Sequence, residues 1–236
     1  MRELGHPRVH LRRTDSTNSR ARELAIAGAP HGTLVSADEQ SAGRGRQGRH
    51  WFSEPHSSLL CSLLLREPPE LLPLIAGVAV CQAVGGKALV KWPNDIVLEG
   101  SDPAHPLAKL AGILVEGRPQ EGWAVVGIGL NVAVRRDQLP DELRHSAASM
   151  ELPPEEIEPT LGRVLEALER VLGEPAARVL EAWRERDALS GREISWQHGK
   201  GRAQGIDGTG RLIVKRSDGA RVTLDAGEVH LGYSPT

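Results

Sequence analysis

The sequence predicts an α+β fold. A mixed β-sheet with helices packed on it occupies residues 1–188, and a small C-terminal β-barrel occupies 189–236. Three observations predict it. Short apolar runs alternate with helical patterns as far as residue 132. Residues 160–188 carry helical periodicity with no strand signal. After Ser190-Gly191, five short alternating segments follow one another across Gly/Asp turns.

Each element has its own justification. "RVHLRR" (8–13) reads as a first strand. "TDSTNSRARELAIAGAP" reads as a helix that Ser16 or Thr17 caps and that Gly28 and Pro30 stop. "GTLVSADEQ" is a second strand, and "SSLLCSLLLR" is apolar enough to lie in the middle of a sheet. Residues 71–85 are apolar with small residues interspersed, as in a buried helix. "ALVKW" and "DIVLEG" flank the turn signal Pro93-Asn94. "KLAGILVEG" and "WAVVGIGLNV" form a hairpin across "GRPQEG". The pattern places the helices on one side of the sheet. "TLGRVLEALERVL" and "AARVLEAWRERDAL" supply two more helices. The tail segments "REISWQ", "RAQGID", "RLIVKR", "ARVTL" and "EVHLG" make the barrel. So small a barrel has a thin core and leans on the larger domain.

Composition limits the function classes. The net charge of −2 excludes a chain that binds nucleic acid through overall basicity. Two cysteines, Cys61 and Cys81, sit in apolar runs and read as buried reduced thiols of a cytoplasmic protein. The opening "MRELGHPRVHLRR" lacks the apolar core of a signal peptide, and no apolar run reaches the ~18 residues of a membrane span. The expectation is a soluble chain.

Four stretches carry chemistry. Ser16-Thr17-Asn18 at a helix start is either a plain cap or a cradle for a small polar group. The loop "GRGRQGR" (43–49) gathers three arginines among glycines. Ordering ten such residues costs on the order of 10–20 kcal/mol, and each charge-assisted hydrogen bond returns ~1.5–3 kcal/mol. The loop is therefore expected to be mobile when empty and to order around an anion. In "KWPNDIVLEG", Lys91 suits a phosphate, and Asn94 or Asp95 suits Mg²⁺, which prefers oxygen ligands. In "KLAGILVEG", Lys109 either snorkels at an edge or meets a carboxylate at the end of an apolar pocket. "GIGLNV" adds glycines that allow close approach of a ligand, with Asn131 as a polar handle. The sequence contains no phosphate loop ending in Lys-Ser/Thr and no nucleophile motif, so chemistry here should rest on positioning and electrostatics.

Taken in order, Ser16-Thr17-Asn18, Gln40 with "AGRGRQGRHW", "KWPND", "KLAGILVE" and "GIGLNV" resemble the biotin protein ligases. The likeness covers nearly the whole chain. It implies a catalytic domain of the class II synthetase type over 1–188 and an SH3-like barrel over 189–236. It also implies a reaction: biotin and MgATP give biotinyl-5′-adenylate, and a lysine of the biotin carboxyl carrier protein of a carboxylase then takes the biotin. By that resemblance Lys109, Arg44 and Arg46 are catalytic. Ser16, Thr17, Asn18, Gln40, Arg44, Gly45, Arg46, Lys109 and Gly112 bind biotin. Arg46, Arg49, Trp51, Lys91, Asn94 and Asn131 hold ATP or the adenylate, and Asp95 holds the metal. Family members range from monomers to homodimers, and larger ones carry an N-terminal DNA-binding domain. This chain is expected to act without specific DNA binding and away from membranes.

Two departures from the family pattern stand out. The loop usually reads Gly-Arg-Gly-Arg-Arg-Gly-Arg, whereas Gln47 stands at its fifth position here. After Trp51 comes Glu54-Pro55-His56-Ser57-Ser58 instead of a glycine-containing turn. Two rival readings stay open. One is a lipoate or octanoate ligase or transferase, and the other is a nucleic-acid-binding module built on the loop and the barrel.

Overall fold

Strand β3 (Ser58–Arg66) is buried along its whole length except its last residue. A strand apolar on both faces needs a cover on each of them. The computed structural model describes residues 4–102, 104–225, 227 and 229–231. Its first sheet contains β1 (Arg8–Thr14), β2 (Leu34–Gln40), β3, β4 (Leu89–Lys91), β5 (Asp95–Asp102), β6 (His105–Arg118) and β7 (Trp123–Asn131). They run in the order β1-β2-β3-β7-β6-β5-β4. β1 and β2 are parallel, and every other neighbour is antiparallel. The sheet is mixed, as expected.

The helices lie on both faces, not on one. On one face, α1 (Thr17–Ile26) sets Ala21 and Ala25 against Val35, Leu64, Trp123 and Val125. On the other, α2 (Leu72–Val84), α4 (Ile157–Leu172) and α5 (Ala176–Arg184) share the larger core with Leu34, Leu63, Leu65 and Ile128. The alternation of Leu63, Leu64 and Leu65 between the two cores is the period-2 geometry of a strand buried on both sides. A short α3 (Asp141–Arg144), which carries no apolar stripe, lies in the connection after β7.

All five tail segments form strands: β8 (Glu193–Trp196), β9 (Gly199–Ile206), β10 (Leu212–Lys215), β11 (Arg221–Leu224) and β12 (His230–Leu231). Their antiparallel order is β11-β10-β9-β8-β12. Glu228 and Gly232, the ends of "EVHLG", lie outside the described residues. This sheet does lean on the larger one. Ile194, Ile206, Leu212 and Val214 belong to the main core. Trp92 Nε1 donates to Gly210 O at 3.1 Å, and Arg184 Nη2 donates to Ile206 O at 3.1 Å. Both cysteines are buried and reduced, and burial pushes each thiol up to about 12.

Candidate active site

A bulge in β6 sets the geometry of the site. Asp95 and Ile96 pair with Gly112 and Ala111, but Val97 pairs with Lys109, so one residue of β6 is extra. Ala108 and Leu110 face the main core on one side of the bulge, and Ala111 and Ile113 face it on the other. The bulge thus reverses the strand's alternation and brings Lys109 to the face of Gly112. A Cβ built on Gly112 would lie 3.3 Å from Lys109 Nζ. The Lys109 backbone is pinned from outside the sheet: its N–H donates to Ser146 O at 2.7 Å, and its carbonyl accepts from Ala148 N at 2.8 Å.

Positive charge gathers around this point. Lys109 Nζ lies 2.8 Å from Asp95 Oδ1. Lys91, at the end of β4, lines the same cavity and makes no ion pair among the described residues. Burial pulls its ammonium below the ordinary lysine value; Asp95 opposes that shift, and the charges of Lys109 and Arg49 add to it. Burial likewise lowers Arg46, whose Nη1 donates to Asn94 Oδ1 at 3.3 Å. Asn94 is fixed in turn, because its Nδ2 donates to Ile113 O at 2.8 Å and its carbonyl accepts from Ile113 N at 2.9 Å. A narrow space ringed by cations suits a ligand with more than one anionic group.

The opposite wall is polar. Ser16 occupies the cap position of α1, but its side chain makes no capping bond. Gln40 does that work instead. Its Oε1 accepts from Thr17 N at 2.7 Å and from the Thr17 hydroxyl at 3.1 Å. Ser62, fully buried in β3, donates to Asn18 Oδ1 at 2.6 Å and lies 2.8 Å from Thr17 Oγ1. Asn18 Nδ2 donates to Glu116 Oε2 at 2.9 Å. This chain of bonds joins the buried polar groups to one another, and Ser16 and Gln40 line the cavity beside it. Gly127 makes room for it, since a Cβ there would come 2.0 Å from Asn18 Oδ1.

The arginine–glycine loop closes the front. It folds into a tight turn held by its own backbone hydrogen bonds. Gly45 N donates to Arg49 O at 2.7 Å, Arg49 N to Arg46 O at 3.1 Å, and Trp51 N to Gly43 O at 2.9 Å. Gln47 adopts φ 55 inside the turn, a left-handed conformation unusual for a residue with a side chain. Arg44 Nη2 lies 3.2 Å from Glu116 Oε1. Trp51 lies across Gly129, one of the two glycines of "GIGLNV": a Cβ there would meet its ring at 2.6 Å. Lys109 Nζ stands 5.7 Å from the centre of that ring, within cation–π range. The indole Nε1 is buried with no hydrogen-bond partner among the described residues. The cavity left beneath is about 110 Å³.

Every predicted site residue lines this cavity except Asn131. Asn131 is buried, and its Nδ2 donates to Ala148 O at 2.8 Å, so it braces the segment that pins Lys109. Arg44 lines the cavity but directs one nitrogen to Glu116. Sequence reasoning missed Ser62 and Glu116, which bridge α1 to the sheet. For magnesium, Asp95 is the carboxylate in the cavity wall, and among the described residues no group of three or more His, Cys, Asp or Glu could hold a metal. One carboxylate fits Mg²⁺ only in the mode where phosphates and water supply most ligands.

The family model for the biotin/lipoate A/B protein ligases matches residues 10–132, and that for the biotin protein ligase C-terminal domain matches 190–232. The chain belongs to the biotin/lipoate A/B protein ligase family. The two matched stretches of this family member fall on its two sheets. It is 40% identical over 159 residues to the bifunctional ligase/repressor BirA of Bacillus spizizenii, which is 62% of this chain and 47% of that one. The match thus spans about half the length of that relative. The biotin–[acetyl-CoA-carboxylase] ligase of Paracoccus denitrificans is 32% identical over 248 residues, covering 94% of this chain and 99% of the other. The biotin protein ligase of Aquifex aeolicus, solved with biotin and ATP, superposes with a TM-score of 0.77 at 27% identity. That superposition covers 97% of this chain and all of the other. Among the described residues, no helix is long and apolar enough to cross a membrane.

Proposed function

We propose that the chain activates biotin with MgATP to biotinyl-5′-AMP, releasing pyrophosphate, and transfers biotin to a lysine of a biotin carboxyl carrier protein. The observation that carries this reading is the convergence of Lys109, Lys91 and Arg46 on one cavity whose far wall is uncharged and polar. Two anions must meet there, the biotin carboxylate and the α-phosphate, and fixed positive charge offsets their repulsion. Lys109 has three donors, so it can hold Asp95 and a carboxylate oxygen together. Ser16 and Gln40 offer hydrogen bonds to the biotin head group. Lys91, Arg46 and Arg49 hold the phosphates, with Asn94 orienting Arg46. Asp95 would hold Mg²⁺, which would supply charge neutralisation for the pyrophosphate leaving group. The carboxylate oxygen displaces pyrophosphate at the α-phosphorus. The carrier lysine then attacks the acyl carbon, and AMP leaves.

The ligase names of the full-length relatives and the match to the biotin ligase C-terminal domain favour biotin over lipoate. Buried reduced thiols suit a cytoplasmic setting. Incubation with biotin, MgATP and an apo carrier domain, read by intact mass, tests the proposal. The carrier should gain one biotinyl group, and a carrier that gains only a lipoyl group when lipoate is supplied would overturn the substrate.

A further inference from the structure

Glu116 stands near the end of the β6 run "KLAGILVE", on the same face as Gly112 and Lys109. A carboxylate there, with its side chain only 20% exposed, needs partners. It has three. Oε2 accepts from Asn18 Nδ2 at 2.9 Å, while Oε1 lies 3.2 Å from Arg44 Nη2 and 3.5 Å from Arg22 Nη1. Asn18 belongs to the polar wall and Arg44 to the loop, so one side chain joins the two halves of the cavity. The bond to Arg44 reaches beyond Arg44 itself. Arg44 bridges His50 across the turn, and Gly43 bonds Trp51. Holding Arg44 therefore holds the turn that carries Arg46 and the indole over Gly129.

We propose that Glu116 is a positioning residue that anchors the arginine–glycine loop to the polar wall, so that loop closure and the head-group site act as one unit. The inference rests on the ligase reading for what the loop covers, but the anchor itself is a set of contacts within the chain. It divides the arginines. Arg44 serves mainly as the loop's attachment, and Arg46 and Arg49 face the anion.

Two readouts on the full chain test it. The first is hydrogen exchange of residues 43–51 without ligand. The second is the release rate of biotinyl-adenylate formed in place and chased with unlabelled biotin and ATP. Glu116→Gln keeps the side-chain volume and can still accept from Asn18, while losing the charge that holds Arg44. It should speed both exchange and release about tenfold, the loss expected of one charge-assisted bond. Glu116→Gln combined with Arg44→Ala should release no faster than Arg44→Ala alone, because both remove one interaction. Glu116→Asp should restore part of the retention. Parent-like exchange in Glu116→Gln, or additive effects in the double variant, would overturn the anchor. A parent enzyme that forms no adenylate would sink the ligase reading alone, since the exchange measurement still decides the anchor. If Glu116→Gln melts below the assay temperature, exchange in Arg44→Leu probes the same bond from its more exposed side. Faster exchange of residues 45–51 then supports the anchor, and parent-like exchange overturns it.

Discussion

The Lys109 ammonium lies 2.8 Å from Asp95 Oδ1, across a strand pair that a bulge has put out of register. The residue proposed to hold a carboxylate and the one proposed to hold Mg²⁺ are therefore bonded to each other. Their roles should separate in variants. Lys109→Ala should lower adenylate formation by about 10²-fold or more, as expected for removing a fixed charge at the reacting anions. Its half-maximal Mg²⁺ concentration should not rise, since loss of the ammonium frees the Asp95 carboxylate. Asp95→Asn should shift the Mg²⁺ concentration needed for half-maximal rate upward. Rates measured across a magnesium titration check both, and an unshifted titration in Asp95→Asn would remove Asp95 as a metal ligand.

Lys91 predicts an alkaline limb. Burial holds its folded-state pKa below the ordinary value of 10.5. As pH rises through that depressed value, the folded protein releases the proton before the unfolded chain does. In the window up to 10.5 the unfolded state binds more protons, so this group's contribution to stability rises with pH. The phosphate contact has the opposite dependence, because it needs the charged form. The kcat/KM for MgATP should accordingly fall on the alkaline side, starting below 10.5, while the fold holds. Lys91→Arg should move that limb upward, since guanidinium stays protonated. A limb unmoved in Lys91→Arg assigns the titration to another group.

Parts of this site were legible because they break a local rule. Arginines among glycines before Trp51, and a lysine in an apolar strand, stand out against any background. The apolar length of β3 pointed correctly to a central strand, although its burial on both faces also required the second helical layer that the one-sided expectation omitted. The rest was hidden in register. A bulge leaves no mark in "KLAGILVE", so strict alternation would put Lys109 opposite Gly112. Ser62 and Glu116 look like ordinary polar positions until the fold brings α1 beside them. The glycines of "GIGLNV" announce a close approach without saying of what: Gly127 admits Asn18 and Gly129 admits Trp51. Asn131 stands out as polar in "GIGLNV", but its bond to Ala148 depends on a segment distant in the sequence.

Trp51 should move when biotin binds. The cavity beneath it is about 110 Å³, whereas small-molecule pockets run to ~300–1,000 Å³. Binding of biotin should therefore change tryptophan fluorescence, and Trp51→Phe should reduce that change, because Trp92, which also lines the cavity, is buried and bonded to Gly210 O. Trp51→Ala should raise the association rate for biotin and speed its release. An undiminished fluorescence change in Trp51→Phe would mean that the indole stays in place.

Gly127 and Gly129 lie two residues apart on one strand face, yet alanine should not be tolerated equally. A Cβ at 127 would come 2.0 Å from Asn18 Oδ1, and one at 129 would come 2.6 Å from the Trp51 ring. Asn18 cannot retreat, because Ser62 and Glu116 hold it from both sides. Trp51 sits on a surface turn that can lift. Gly127→Ala should cost about 1–3 kcal/mol, the usual range for overpacking a filled interior, and weaken biotin binding through the displaced polar wall. Gly129→Ala should barely change the melting temperature but expose the indole, shifting its emission to longer wavelength. Thermal unfolding and fluorescence of the two variants check this. Equal losses of stability would mean that the loop is held as rigidly as the wall.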